Sequence, residues 1–195
     1  VTASDDRTAR VWDVATGQPV TDRLRHDNRV LYAAFSPDGK RVATGSEDRK
    51  ARVWEVATSK VVVGPLDHES WVTMISYSPD GRYLLTASQD RTARIWDAAT
   101  GKPLHAKPLQ HSSYVSSAVF SADGKLVLTA SIDSSAKVWR SATGQPLHEG
   151  VKHKGEVRHA EFSHDGKWLA TASEDRTARV WETATGKPVT EPLRH

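Results

Sequence analysis

Four histidines, His26, His68, His111 and His153, each stand 22 residues before an aspartate: Asp48, Asp90, Asp133 and Asp175. An imidazole beside a carboxylate is the kernel of a general acid–base dyad, and the same side chains ligate divalent metals. Either chemistry needs one such pair, yet this one is copied. Asp6 extends the aspartate series, and six residues after each of the five aspartates lies a tryptophan: Trp12, Trp54, Trp96, Trp139 and Trp181. A period of about 42 residues with fixed internal offsets means one supersecondary unit repeated along the chain. The most regular residues then belong to the scaffold, and function must be sought where the copies differ.

The elements that carry these residues can be read from one copy, residues 25–66. Val30 to Phe35 is a short apolar, β-prone run followed by Ser36-Pro37-Asp38-Gly39. Proline suits an early turn position, and glycine supplies the positive φ that closes a hairpin. Arg41 to Gly45 reads as a second strand ending at the tight turn Glu47-Asp48-Arg49. Ala51 to Val56 reads as a third, with Ala51, Val53 and Glu55 on one face and Arg52, Trp54 and Val56 on the other. The turn Ala57-Thr58-Ser59-Lys60 leads to an outer strand ending at Leu66. The fold class is therefore all-β, with four short antiparallel strands per repeat. Residues 25–66, 67–109, 110–151 and 152–195 form four complete units, and residues 1–24 form a partial one. In the first complete unit Ser59 and Val61 replace the Gly and Pro of the other copies, so its outer turn is expected to be less well specified.

Composition narrows the chemistry. The chain of 195 residues has no cysteine, which removes disulfides, thiolate metal sites and cysteine nucleophiles. Lys and Arg number 27 against 24 Asp and Glu, a net charge of +3 interleaved by the repeat. A nucleic-acid binder would show a concentrated basic stripe with exposed aromatics, so no nucleic-acid partner is expected. No apolar run approaches spanning length and no signal-peptide pattern opens the chain, so no membrane partner is expected and a cytoplasmic setting fits. Val1 falls inside a repeat and Met74 is the only methionine, so the chain is expected to be a piece of a longer protein. No Gly-rich phosphate loop, nucleophile elbow or His-Glu-x-x-His is present, and no cofactor is expected.

The motifs resemble those of the WD-repeat β-propellers: a histidine near the start, Phe-Ser-Pro-Asp-Gly, then Thr-Ala-Ser-x-Asp-x-Thr-Ala-Arg-Val-Trp-Asp. Trp12-Asp13 and Trp96-Asp97 keep the family's dipeptide, Trp54-Glu55 and Trp181-Glu182 vary it, and the fourth copy has Trp139-Arg140. The resemblance covers essentially the whole chain, and the wording of the repeats looks like bacterial arrays in which such propellers are appended to signalling proteins. It implies a β-propeller of four-stranded blades. It also implies a buried hydrogen-bonded set in each blade, such as His68, Asp90, Thr86 and Trp96, or His153, Asp175, Thr171 and Trp181. On that basis the repeated His–Asp pairs are structural, since an active site copied in every blade is implausible. Residues 2–21 and 171–190 match at 16 of 20 positions, so blades are nearly interchangeable, and chains completing one another's rings as a homo-oligomer is an open possibility.

The resemblance further points to three variable positions per blade on one face. The first is Arg29, Trp71, Tyr114 and Glu156; the second is Leu31, Thr73, Ser116 and Arg158; the third is Asp5, Glu47, Gln89, Ile132 and Glu174. Trp71, Tyr114 and Ile132 are bulky where other copies are polar, and together they would form an apolar patch of the kind that dominates interfaces. Arg29, Glu156 and Arg158 would flank it with charge. Trp168, outside the periodic set, is read in place of Val42 and Leu84 on a second strand and is expected in the core. His148, His159 and His164 are expected at exposed positions.

The function expected is a non-catalytic interaction scaffold that docks a protein or peptide through Arg29, Trp71, Tyr114, Ile132, Glu156 and Arg158. Capture of a small ligand or glycan is the alternative class, and a propeller enzyme a third. Glu156, Arg158 and His159 are the only acid–base cluster at variable positions, and strand alternation keeps the three from converging.

Overall fold

A computed structural model describes residues 1–194; His195, the last residue of the final unit, lies outside the described residues. The first sheet contains β1 (Thr2–Ala3), β2 (Thr8–Arg10) and β3 (Leu24–Arg25). The second contains β4 (Val30–Phe35), β5 (Arg41–Ser46), β6 (Lys50–Glu55) and β7 (Val61–Asp67). The third contains β8 (Val72–Tyr77), β9 (Tyr83–Ser88), β10 (Thr92–Asp97) and β11 (Leu109–Gln110). The fourth contains β12 (Val115–Phe120), β13 (Leu126–Ser131), β14 (Ser135–Arg140) and β15 (Val151–Lys152). The fifth contains β16 (Val157–Phe162), β17 (Trp168–Ser173), β18 (Thr177–Glu182) and β19 (Leu193–Arg194). Each sheet is an antiparallel meander in chain order, so the chain is all-β and built of propeller blades.

The hairpins form where turn chemistry demands them. In Ser36-Pro37-Asp38-Gly39 the Asp38 carboxylate accepts from the Ser36 hydroxyl at 2.6 Å and from the Lys40 N–H at 3.0 Å. Gly39 closes the turn at a φ of 69°, where a side chain would be strained. The turn after β6 corrects the expectation that Ser59 loosens it. Ser59 takes the left-handed conformation at a φ of 57° and its N–H bonds the Glu55 carbonyl at 2.8 Å, as Gly101 N–H bonds Asp97 at the matching position. Replacing proline by Val61 restores a backbone donor, and β7 runs seven residues where the other outer strands have two.

The core lies between blades. Ala43, Ala51, Val53, Val63 and Leu66 of the second sheet meet Val72, Ile75, Leu84 and Trp96 of the third. Equivalent layers join the third sheet to the fourth and the fourth to the fifth. A fully buried Ile75 or Leu84 contributes about 1.5–3 kcal/mol. At the two ends of the series the same surfaces are uncovered. Val14, which aligns with the buried Ala98, is 98% exposed, and Val189 and Leu193 of the fifth sheet are about half exposed.

Candidate partner-binding face

One end of every four-stranded blade is built on the histidine loop and the turn that carries the aspartate. In the third blade the His68 Nδ1–H donates to Asp90 Oδ2 at 2.7 Å, and His68 Nε2 lies 2.7 Å from Thr86 Oγ1. The Trp96 indole N–H donates to the same Thr86 oxygen at 2.8 Å. An indole N–H can only donate, so the hydroxyl accepts from it and passes its own hydrogen to His68 Nε2. That leaves the ring hydrogen on Nδ1, facing the carboxylate. The fifth blade repeats the set through His153, Asp175, Thr171 and Trp181 at 3.0, 2.7 and 2.9 Å. His26 with Asp48, Thr44 and Trp54, and His111 with Asp133, Thr129 and Trp139, complete the series. Burial works against the charged form of Asp48, Asp90, Asp133 and Asp175. Hydrogen bonds from the imidazole, a backbone N–H and, in three blades, a hydroxyl outweigh it and hold these carboxyls well below the usual range. Burial pushes the His111 imidazole down, against the opposing pull of Asp133. All four imidazole side chains are fully buried, so the repeated pairs are closed to an external substrate. In the first sheet the Trp12 indole N–H makes the same bond, donating at 2.8 Å to Thr2, the counterpart of Thr86.

The first and third variable positions are joined through the backbone. The N–H groups of Glu47, Gln89, Ile132 and Glu174 bond the carbonyls of Arg29, Trp71, Tyr114 and Glu156 at 2.9 to 3.0 Å. Serine side chains pin the same loops, as when the Ser88 hydroxyl donates to the Ser70 carbonyl at 3.2 Å. With the main chain held, Trp71 and Tyr114 project outward on adjacent blades, 41% and 45% exposed. Arg29 is exposed and Ile132 half-buried. Tyr114 lines a polar cavity of about 560 Å³ with Glu69, Gln89, Arg91, Arg94 and Gln110, and Trp71 stands outside that lining.

The second variable position has a different character. Leu31, Thr73, Ser116 and Arg158 each coincide with a register shift between the first and second strands of their sheet. A bulge of this kind re-aims one side chain. The Thr73 hydroxyl donates to the Val115 carbonyl of the next blade at 3.0 Å, and Ser116 does the same to Val157 at 2.7 Å. These two residues join blades, each half-buried with its hydroxyl engaged by a neighbouring carbonyl. Arg158 turns instead toward its own blade, with its Nη2 2.8 Å from Glu156 and its Nε donating to Glu174 at 2.7 Å. Glu156 and Arg158 therefore meet, while His159 is exposed and outside the ion pairs.

Two expectations are corrected at the opposite end of the blades. Trp168 is 39% exposed, not in the core. Its register opposite Glu182 matches Arg41 opposite Glu55 and Tyr83 opposite Asp97, one position ahead of Val42 and Leu84. Trp168, Leu126, Tyr83, Leu147 and Arg140 line a largely apolar cavity of about 780 Å³ that the sequence reading missed; an aligned ladder of Tyr83, Leu126 and Trp168 was the available signal. His148 is half-buried rather than exposed, with its Nε2 3.2 Å from the Thr183 carbonyl of the next blade. His105 makes the matching bond to Ser141 at 2.8 Å, while His159 and His164 are exposed.

The family model described as WD domain, G-beta repeat matches residues 17–55, 61–97, 101–140 and 144–182. No curated protein matches the chain. The crystal structure of the computationally designed Ika8 protein superposes with a TM-score of 0.84 at 28% sequence identity, covering 96% of this chain. The chain spans 56% of the length of that protein.

Proposed function

From the premise that this chain belongs to the WD domain, G-beta repeat family, whose members generally mediate protein interactions, we propose that it docks a protein or peptide partner on the face carrying Arg29, Trp71, Tyr114, Ile132, Glu156 and Arg158. The observation that carries the reading is the outward projection of Trp71 and Tyr114 from loops whose main chain is already fixed. Rigid, exposed aromatic side chains bury large area at small entropic cost, which is what an interface centre requires. The half-buried Ile132 supplies an apolar floor beside Tyr114. Arg29 at one end and the Glu156–Arg158–Glu174 cluster at the other give the face opposite charge at its two flanks, which orients a partner. The family is typically non-catalytic, and the closed His–Asp pairs agree with a binding role. The module serves a cytoplasmic signalling protein in this reading.

The double variant Trp71→Ala/Tyr114→Ala tests it. Capture of partners from cell extract by the intact chain and loss of the same partners by a variant of unchanged melting temperature support the assignment. Retention of those partners would sink it. A second reading, capture of a small ligand, is favoured by the cavity of about 780 Å³ beside Trp168. Quenching of Trp168 emission in a soluble-ligand screen, absent in Trp168→Phe, would support that reading.

A further inference from the structure

On the outer side of the third and fifth blades, next to the histidine loop, the same sequence positions gather around a cavity. In the third blade they form the lining of the cavity that Tyr114 borders: Glu69, Asp90, Arg91, Arg94, Pro108 and Gln110. Two cations there face two anions. In the fifth blade the counterparts enclose a cavity of about 460 Å³ lined by Lys154, Asp175, Arg176, Thr177, Arg179, Pro192 and Arg194. Four cations there face one carboxylate, and that carboxylate is already engaged. Asp175 accepts from the His153 ring, the Lys154 N–H and the Thr177 hydroxyl. Among the described residues none of the four cations forms an ion pair. Among the described residues the buried Arg179 Nε has no hydrogen-bond partner, and the same holds for the Arg94 Nε in the third blade, while the charge of the two linings differs.

We propose that this cavity of the fifth blade binds a phosphate monoester carried on a peptide side chain. An excess of three positive charges suits a dianion better than a single carboxylate, and guanidinium forks match the geometry of phosphate oxygens. A peptide is the carrier that the surroundings fit. Among the described residues the lining has no aromatic side chain on which a nucleobase could stack, and the cavity is a single concavity rather than a stripe. Beside it runs β19, the outer edge of its sheet, whose unpaired backbone groups can receive an extended main chain. The site is separate from the face proposed above, since neither Trp71 nor Tyr114 lines it.

The experiment exploits the internal comparison. Lys154→Glu with Arg194→Gln installs the residues that the third blade already carries at those positions, so the altered cavity has a folded precedent in the same chain. Amide chemical shifts around Lys154, Arg176 and Arg194 are followed while inorganic phosphate is titrated against chloride at matched ionic strength. A labelled phosphoserine peptide and its serine counterpart are compared by anisotropy. The expected result is a phosphate-specific response confined to this blade, preference for the phosphoserine peptide, and affinity about tenfold or more weaker in the double variant, the loss of roughly one charge-assisted hydrogen bond. Trp71→Ala/Tyr114→Ala leaves all three unchanged. Equal responses to phosphate and chloride, equal affinity in the double variant, or binding confined to an oligonucleotide or to phosphoinositide vesicles would overturn the proposal.

Discussion

Replacing Thr86 by valine isolates the hydrogen bonds of one blade. Valine has nearly the shape of threonine, so no cavity opens at a position that is fully buried. What changes is polar: the Trp96 indole N–H, 2.8 Å from the hydroxyl, loses its acceptor, and His68 Nε2, at 2.7 Å, loses its donor. Both groups are buried where water cannot substitute, and each orphan costs about 1–3 kcal/mol. The sum, about 2–5 kcal/mol after some relaxation, is a large share of the roughly 5–15 kcal/mol that stabilises a domain. With a urea dependence of about 2–3 kcal/mol/M, the midpoint should fall by about 1–2 M. Thr86→Ser is the control, because it keeps the hydroxyl and gives up one methyl, about 1 kcal/mol. Urea titrations followed by near-ultraviolet circular dichroism compare the two, and indole N–H exchange at Trp96 reports the site itself. Coincident midpoints for the valine and serine variants would refute the reasoning, because the hydroxyl would then contribute nothing.

Other consequences follow from the same geometry. Thr73→Val and Ser116→Ala each remove one bond between blades and should cost about 1 kcal/mol, read as a fall in urea midpoint at unchanged slope. Stability should decline with acid in two stages. The depressed His111 imidazole makes the unfolded chain bind the extra proton first, so the decline begins below about pH 6.5. The depressed carboxyls of Asp48, Asp90, Asp133 and Asp175 stabilise the fold fully above the unfolded carboxylate range near about 4, and lose that contribution as pH falls further. Urea midpoints at pH 7, 5.5 and 3.5 check this, and a flat profile contradicts it. Trp71→Ala/Tyr114→Ala should shift the melting temperature little, because exposed side chains away from packing seldom contribute more than about 0.5 kcal/mol.

The architecture was readable because the period of the chain is written in side chains that do local work. Proline, aspartate and glycine mark the hairpins, and alternation puts Ala51 and Val53 together on one face, where both are buried. The threonine of each hydrogen-bonded set also sits where the family resemblance puts it, at Thr86 and Thr171. The face was only partly readable. Strict alternation treats Thr73, Ser116 and Arg158 as free strand positions, but a bulge is a backbone event with no residue type of its own, and it turns the first two into links between blades. It also lets Arg158 reach Glu156 and Glu174. Trp168 was misplaced by one residue, and in a strand one residue exchanges inside for outside. His105 and His148 escaped because their partners are main-chain carbonyls in another blade, which leave no mark on sequence.

The recurrence of one apolar junction has a genetic meaning. Ala43, Ala51 and Val53 meet Val72, Ile75 and Leu84 in the same manner as Leu128, Ala136 and Val138 meet Val157, Ala160 and Leu169. A recombination event that duplicates or deletes one period of DNA therefore creates no untested junction, because any blade's leaving surface matches any other's entering one. The residues that differ, such as Trp71, Tyr114 or Lys154, travel with their blade as cassettes. A lineage carrying this chain can change what it recognises by reordering copies, without first discovering a mutation that folds.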